Sequence, residues 1–400
     1  MSERPVSQAR LSGTNLERAG DHNQRVTLHA IRVKGPITRA ELAQITGLTA
    51  PAIANITKRL LTDNLIQNAG RRRGVRGQPA TKLVINPDSW FSIGLNVDRD
   101  HVTMVVLDFE GRVRARATRE VHFPLPKDVE LFFKKGVGKL LDKVGIDPGR
   151  LVGVGIALPD DMPRAATLPS QPEDFAQWAT TDVAALVAGV IGAPVFVEND
   201  AAAATMGEMQ FGLGKKYQTF FYVLITAALG GSLVIDGNHF RGATGRSGEL
   251  GLLRGRDGAG HERQIQNIVS LSALYSRLAA QGIKVMAPDE LSSLDDRGKA
   301  VVDAWVEAAV DALIEPMISI NCLINPEAVL IGGRLPSGIV DSLARSLNQR
   351  LAAHGGTVPA IATVARAALS DDAPAVGAAI LPFSHRLLPT RTALMKVATI

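Results

Sequence analysis

A single cysteine, Cys322, stands in a chain of 400 residues. One thiol forms no disulfide within the chain and builds no cysteine-rich zinc site, which points to a reducing cytoplasm. No run of about eighteen apolar residues occurs, so no membrane span is expected. The richest stretch, 220–235, is interrupted by Thr226, Gly230, Gly231 and Ser232. The first twenty residues lack the apolar segment of a secretory signal. There is no tandem repeat, and the alanine run at 201–204 is the only low-complexity tract. What remains is a globular composition, 46% hydrophobic and 21% charged. Such a length exceeds one ordinary core and implies two or three domains.

The net charge of +5 is unevenly placed. Residues 1–88 carry 14 Lys+Arg against 6 Asp+Glu, a balance of +8, and the remaining 312 carry 30 against 33, a balance of −3. A basic first fifth joined to a nearly neutral remainder is the electrostatic pattern of a nucleic-acid module attached to a second domain.

Within that basic part, residues 36–61 read as two short helices around a glycine turn. Thr38 and Glu41 have capping-box spacing. Leu42 and Ile45 supply an apolar stripe, and Gly47 can adopt the left-handed conformation that ends a helix. Thr49 restarts a helix as N-cap, with Pro51 in its first turn. Ile53, Ile56 and Leu60 then share one face, leaving Ala50, Ala52, Asn55 and Lys58 outward. The pattern fits a helix-turn-helix that reads double-stranded operator DNA through Thr49, Ala50, Ala52, Asn55 and Lys58; an ordinary helical hairpin is the other reading. An earlier helix over 15–34 would place Val26, Leu28, His29, Ile31 and Val33 inward. After 61–66 comes a glycine-punctuated basic stretch with Arg71, Arg72, Arg73 and Arg76, then the strand Thr81–Ile85. This is either a wing whose tip lies on DNA phosphates or a solvated loop.

The pair Asn86-Pro87 reads as a boundary, giving a polar tail at 1–14, a DNA-binding domain at 15–88 and a second domain at 89–400. In the second domain, Phe91–Val97, 101–109 and 112–121 predict three antiparallel strands. A helix at about 128–145, the strand Leu151–Leu158, a helix at 173–191, the strand 195–198 and a helix from Asp200 follow. Strands at 219–225 and 229–236, further helices and a strand at 328–332 form a second lobe, and a last helix from about 372 returns to the first. This is an α/β arrangement with mixed sheets.

Four segments in this order resemble the ROK family of bacterial repressors and sugar kinases. They are the basic wing ending near Pro79, the segment 197–204 containing Asn199 and Asp200, the loop 241–251 containing Glu249, and 325–333 with Gly332 and Gly333. The resemblance covers about 15–390. It implies a winged helix-turn-helix followed by a two-lobed actin/hexokinase-like (ribonuclease H-like) domain with a sugar cleft. By that resemblance Asp200 matches the kinases' general base, and Asn199 and Glu249 match residues that bind sugar hydroxyls. Read from the residues alone, Asp200 either faces a cleft at the end of a strand or simply caps a helix.

The chain also departs from the family. Where the kinases' first phosphate loop has small residues, Asp98, Arg99 and Asp100 stand, and the second loop is Thr226-Ala-Ala. Carboxylates repel a triphosphate and bulky side chains block close backbone approach. Leu252 replaces a zinc-binding His, residues 254–264 replace the cysteine motif, and Asn267 aligns with a further sugar-binding Glu. His261 alone makes no zinc site. The expectation is therefore a cytoplasmic, ROK-type DNA-binding repressor of carbohydrate metabolism. It would act as a homodimer or higher homo-oligomer, with Asn199, Asp200 and Glu249 binding a sugar or sugar derivative. No cofactor, metal or catalytic residue is expected, Asp200 being a remnant base. The alternatives are a ROK sugar kinase with an added DNA-binding head, or a ligand-independent repressor whose C-terminal domain only dimerises.

Overall fold

The computed structural model describes residues 16–71, 81–160, 162, 172–256, 260–356, 358–369 and 372–388. Among them the chain divides into two compact units: residues up to 91 with 108–112 and the segment from 383, and residues 92–107 with 113–382. No helix among the described residues is long and apolar enough to cross a membrane.

The first unit contains α1 (Leu16–Lys34), β1 (Ile37–Thr38), α2 (Arg39–Thr46), α3 (Ala50–Thr62), β2 (Ile66–Arg71) and β3 (Thr81–Ile85). Strand β3 is central and antiparallel to both neighbours. The local signals in the sequence operate as read. Thr38 Oγ1 accepts from the Glu41 amide at 3.3 Å while Glu41 Oε2 accepts from the Thr38 amide at 2.8 Å. Gly47 ends α2 at φ 70°, and Thr49 Oγ1 caps α3 by accepting from the Ala52 amide. Leu28, Ile31, Leu42, Ile53, Leu60, Ile66, Leu83 and Ile85 form the core, each contributing about 1.5–3 kcal/mol by burial. Thr57 is buried too, donating to the Ile53 carbonyl and accepting from Arg39 Nε at 2.8 Å. Two expected core residues are not inside: Val33 is 43% and Ile45 55% exposed. Both lie in the last turn of their helices, where no further turn covers them.

In the second unit, β4 (Phe91–Val97), β5 (His101–Asp108), β6 (Val113–Glu120), α4 (Pro126–Val144), β7 (Leu151–Leu158), α5 (Ala185–Ile191), β8 (Val195–Asn199) and α6 (Asp200–Phe211) build the first lobe. Its sheet runs β6-β5-β4-β7-β8, with β5 and β6 antiparallel and β7 and β8 parallel. The single helix expected over 173–191 is instead a 3-10 segment, Glu173–Ala179, followed by α5. Asp182 Oδ1 accepts from the amides of Ala184 and Ala185. This local turn competes with continued helix.

The second lobe contains β9 (Phe220–Ile225), β10 (Leu229–Ile235), β11 (Asn238–Phe240), the hairpin β12 (Arg254–Arg256) and β13 (Glu262–Gln264), α7 (Leu271–Ala280), α8 (Asp296–Leu323), β14 (Ala328–Gly333), α9 (Ser337–Ala352) and β15 (Thr363–Arg366). Its sheet runs β11-β10-β9-β14-β15. Asp236 and Gly237 both have positive φ, 51° and 69°, in the two-residue turn between β10 and β11. Trp305 of α8 anchors the core, donating Nε1–H to the Ile268 carbonyl at 2.9 Å. Finally α10 (Ala373–Arg386) returns to the first-lobe sheet, as the sequence predicts. A Cβ on Gly155 of β7 would lie 1.8 Å from the Ala378 carbonyl oxygen, and one on Gly377 would lie 1.7 Å from that of Ala203. Glycine at these positions admits backbone-to-backbone packing of α10 against β7 and α6.

Candidate functional site

The end of β8, the start of α6 and the glycine-rich loop after β11 meet at one cleft. Asn199 is the N-cap of α6, its Oδ1 accepting from the Ala202 amide at 3.0 Å. Asp200 is therefore not the cap. It is 8% exposed, with Oδ1 accepting from the Ala201 amide at 2.8 Å. A carboxylate there is favoured by the helix dipole. From the loop, Glu249 reaches the same cleft, so the structure brings Asn199, Asp200 and Glu249 together.

Charged groups that the motif reading did not single out fill much of the space. Arg246 Nε and Nη2 lie 2.7 and 2.6 Å from Glu249 Oε1, and Nε is 3.5 Å from Asp160 Oδ2 at the end of β7. Arg241 pairs with Glu198, whose carboxylate also accepts from the Asn199 amide. His239 sits 2.9 Å from Ser232 Oγ. Burial and then the neighbouring Arg241 lower its pKa, with Glu198 opposing them. The cavity left is about 40 Å³, small beside the roughly 300–1,000 Å³ usual for ligand pockets. The cue in the sequence was one arginine, Arg246, set among the small residues of 242–248. Leu252 lines this cleft, and so does Gln266; Asn267, the residue aligned with a sugar-binding Glu, is exposed outside it. Asn267 ends the 3-10 turn Ile265–Asn267.

The turn between β4 and β5 is occupied by ion pairs. Asp98 Oδ1 accepts from the Arg99 amide at 2.7 Å and faces Arg99 Nη1 at 3.7 Å. Asp100 binds His101 Nδ1 at 2.6 Å and Arg334 Nη1 at 3.0 Å, and Arg334 also pairs with Glu120. Burial alone would raise the Asp100 carboxyl, but His101 and Arg334 beside it hold it down at about 2. Arg334 follows the Gly332-Gly333 end of β14, so this network ties the second lobe to the β4–β6 hairpin of the first. Asp98, Asp100 and His101 approach within 4.8 Å of one another. Both His101 nitrogens are engaged, Nδ1 by Asp100 and Nε2 by Asn96 at 3.0 Å, and two guanidinium groups adjoin. That donor set suits internal ion pairing and not a cation.

In the first unit, Thr49 is the α3 cap, Ala50, Asn55 and Lys58 are exposed, and Ala52 is half-buried. Arg71 ends β2; its side chain and all of Arg72, Arg73 and Arg76 lie outside the described residues. The antiparallel strands β2 and β3 lead to and from this stretch.

Comparison with known proteins accords with this architecture. The chain is 27% identical over 363 residues to the uncharacterized protein y4fQ of Sinorhizobium fredii, covering 90% of each. It is 27% identical over 229 residues to the xylose repressor of Bacillus spizizenii, covering 57% of this chain and 59% of that protein. Among solved structures, a ROK family transcriptional regulator, homolog of the E. coli MLC protein, superposes with a TM-score of 0.65 at 20% identity, over 95% of this chain and all of that one. The ROK family model matches residues 92–384, both lobes and the returning helix α10, and the chain belongs to the ROK family.

Proposed function

We propose that this chain is a DNA-binding transcriptional repressor of carbohydrate genes that senses a sugar or sugar derivative and does not phosphorylate it. Residues 15–88 would be the DNA-binding head, 1–14 a tail, and 89–400 the sensing and dimerisation domain. One contrast within the ROK domain carries the reading. Asn199, Asp200 and Glu249 share a cleft, while the turn at the first phosphate loop holds Asp98, Arg99 and Asp100, the last paired to Arg334. A triphosphate brought there meets carboxylates and loses the backbone approach that small residues permit. The second phosphate loop, Thr226-Ala-Ala, also lacks the glycines of the kinases. The relative named a xylose repressor supports the sugar assignment.

On this reading, double-stranded operator DNA is read by α3 through Asn55, Lys58 and their neighbours, and Arg71, Arg72, Arg73 and Arg76 approach phosphates. A homodimer would present two heads, and the effector would change their placement by favouring one arrangement. A shift from 1:99 to 99:1 requires about 5.5 kcal/mol of differential affinity. Since the cleft is about 40 Å³, a sugar enters only if Arg246 gives way, exchanging its contacts to Glu249 and Asp160 for sugar hydroxyls.

The test combines a sugar panel by thermal shift, calorimetry of Asp200→Asn, and an ATP-coupled phosphorylation assay. Charge-assisted hydrogen bonds contribute about 1.5–3 kcal/mol, so Asp200→Asn is expected to weaken the sugar roughly 10- to 150-fold with no phosphorylation by either protein. Sugar phosphate made from ATP, and lost in Asp200→Asn, would show a kinase. The small cavity favours a second reading, a ligand-independent repressor. A sugar at about 100 times its Kd adds roughly 2.7 kcal/mol of stability, and no shift across the panel would support that reading instead.

A further inference from the structure

The charges around the Asp200 cleft are unequal. Arg99 faces Asp98, and Arg241 faces Glu198, so each of these cations has a carboxylate beside it. Burial first, and then Arg241, lower the His239 pKa against the opposing Glu198, which leaves that ring uncharged at pH 7. What remains along the cleft, among the described residues, is three carboxylates, Asp160, Asp200 and Glu249, and one cation, Arg246. The sequence over 161–171 holds one acid, Asp161, and one base, Arg164, and does not change that balance. The place of the cation is informative. The Arg246 guanidinium lies 2.6 and 2.7 Å from Glu249 Oε1 and 3.5 Å from Asp160 Oδ2, between carboxylates that belong to two different elements. Both carboxylates have buried neighbours in sequence, Pro159 before Asp160 and Leu250 after Glu249. Arg246 instead lies on an exposed loop, in which Gly242, Gly245 and Gly248 all have positive φ. Its withdrawal uncovers no core, so the cation is the part of this arrangement that can be exchanged.

We propose, resting on the sugar reading of this cleft, that its effector is a cationic amino sugar, and that Arg246 holds the place of the sugar's ammonium group until the sugar arrives. The ammonium would donate to Glu249 and Asp160. Hydroxyls would donate to Asp200 and accept from the Asn199 side-chain amide. An ammonium replaces the guanidinium with a like charge of smaller size, so the exchange enlarges the cavity and keeps both carboxylates compensated. A neutral sugar would leave Asp160 and Glu249 without the cation they share. A sugar acid or sugar phosphate would bring further negative charge to three carboxylates.

The test is calorimetry on the full-length protein at pH 7, where an amino group of ordinary pKa is protonated. The probes are glucosamine, galactosamine and mannosamine, beside their parent hexoses, their N-acetyl forms, xylose and glucuronate. At least one amino sugar should bind about ten-fold tighter than its parent hexose and its N-acetyl form, the step from neutral to charge-assisted hydrogen bonds. Asp160→Asn should cut that ratio to about three-fold. Arg246→Ala removes the internal cation and should tighten the amino sugar about twenty-fold, more than its neutral parent. Thermal melting reports whether each variant keeps its fold. A parent hexose, an N-acetyl form or xylose bound as tightly as any amine, or glucuronate bound tighter, would overturn the amino-sugar assignment and leave the sugar reading standing. An unchanged ratio in Asp160→Asn would do the same. Heat from no sugar of any class would overturn both.

Discussion

On α3 of the first unit, Asn55, Lys58 and Arg59 are exposed, and among the described residues Lys58 and Arg59 have no acidic partner. In the ROK domain the arginines are differently placed. Arg241 pairs with Glu198, Arg246 with Glu249 and Asp160, and Arg334 with Asp100 and Glu120. The first unit thus turns Lys58 and Arg59 of α3 to solvent, where a polyanion can use them, while the ROK domain pairs Arg241, Arg246 and Arg334 with its own carboxylates. Substitutions at Lys58 and Arg59 should therefore cost affinity and spare stability. Those in the domain should do the reverse wherever the ion pairs are buried.

The largest test of that contrast is Arg334→Met. Arg334 is 7% exposed and holds two carboxylates. Removing one partner of a buried pair costs about 3–5 kcal/mol because the remaining charge is left uncompensated. Urea denaturation at pH 7 should show a loss of that order, much of it recovered by Arg334→Met combined with Asp100→Asn and Glu120→Gln. Asp100 also fixes a pH window. Its folded pKa, about 2, lies below the roughly 3.9 of an unfolded Asp. Its contribution is thus present above pH 4 and lost as pH falls from about 4 to about 2. An acid transition unchanged in Asp100→Asn would mean that the network contributes little.

The same contrast explains what the sequence made legible. In the first unit, structure follows local rules: a capping box at Thr38 and Glu41, a glycine stop at Gly47, a cap at Thr49, and a helix face read from period. Each acts within a few residues, so the pattern identifies α2, α3 and the outward Asn55. The errors, Val33 and Ile45, are end-of-helix positions where period alone does not say what covers them. In the ROK domain, the motif residues Asn199, Asp200 and Glu249 were found by resemblance. The groups that set the cleft's size and the lobe connection were not. Arg246 and Asp160 are 86 residues apart, and Arg334 meets Asp100 across 234. No local spacing encodes those pairings; only the folded sheets bring them together. The break at 180–184 was missed because a side-chain turn at Asp182 overrides an otherwise helical composition.

His29 sharpens the comparison from the head's side, because it is a titratable group turned inward there. Burial first, and then Arg32, lower it to about 4 from an ordinary 6.5. The folded head resists the proton that the unfolded chain accepts. Stability is full above about pH 6.5 and declines as pH falls toward 4, by on the order of 2 kcal/mol. His29→Gln should flatten the melting temperature of residues 15–88 across that interval. An equally steep profile in the variant would assign the acid sensitivity elsewhere.

Asn55→Ala should show the head's outward side. An exposed substitution of this kind changes stability by less than about 0.5 kcal/mol, while one lost base contact costs about 1–3 kcal/mol. A gel shift with specific and unrelated DNA should show loss of the specific complex alone. Unchanged specific affinity would remove Asn55 from the reading face.

Arg246→Ala carries the smallest expected effect and comes closest to breaking the contrast, because it is a domain arginine that should behave like one in the head. Its side chain is 38% exposed and that of Glu249 36%, so water screens the pair, and such pairs contribute about 0–1 kcal/mol. The melting temperature should then barely move, unlike that of Arg334→Met. Affinity should change instead. With Arg246 in place the cavity is about 40 Å³, so on this reading a sugar first separates the guanidinium from Glu249 and Asp160. Alanine removes that step and frees the Glu249 carboxylate for ligand hydroxyls. Losing a competing contact of about 1 kcal/mol should tighten a neutral sugar about five-fold. Calorimetry of wild type and variant with one sugar measures this directly. Weaker binding by the variant would instead make Arg246 a ligand contact, and the contrast would then hold for the cleft as it holds for the buried network at Arg334.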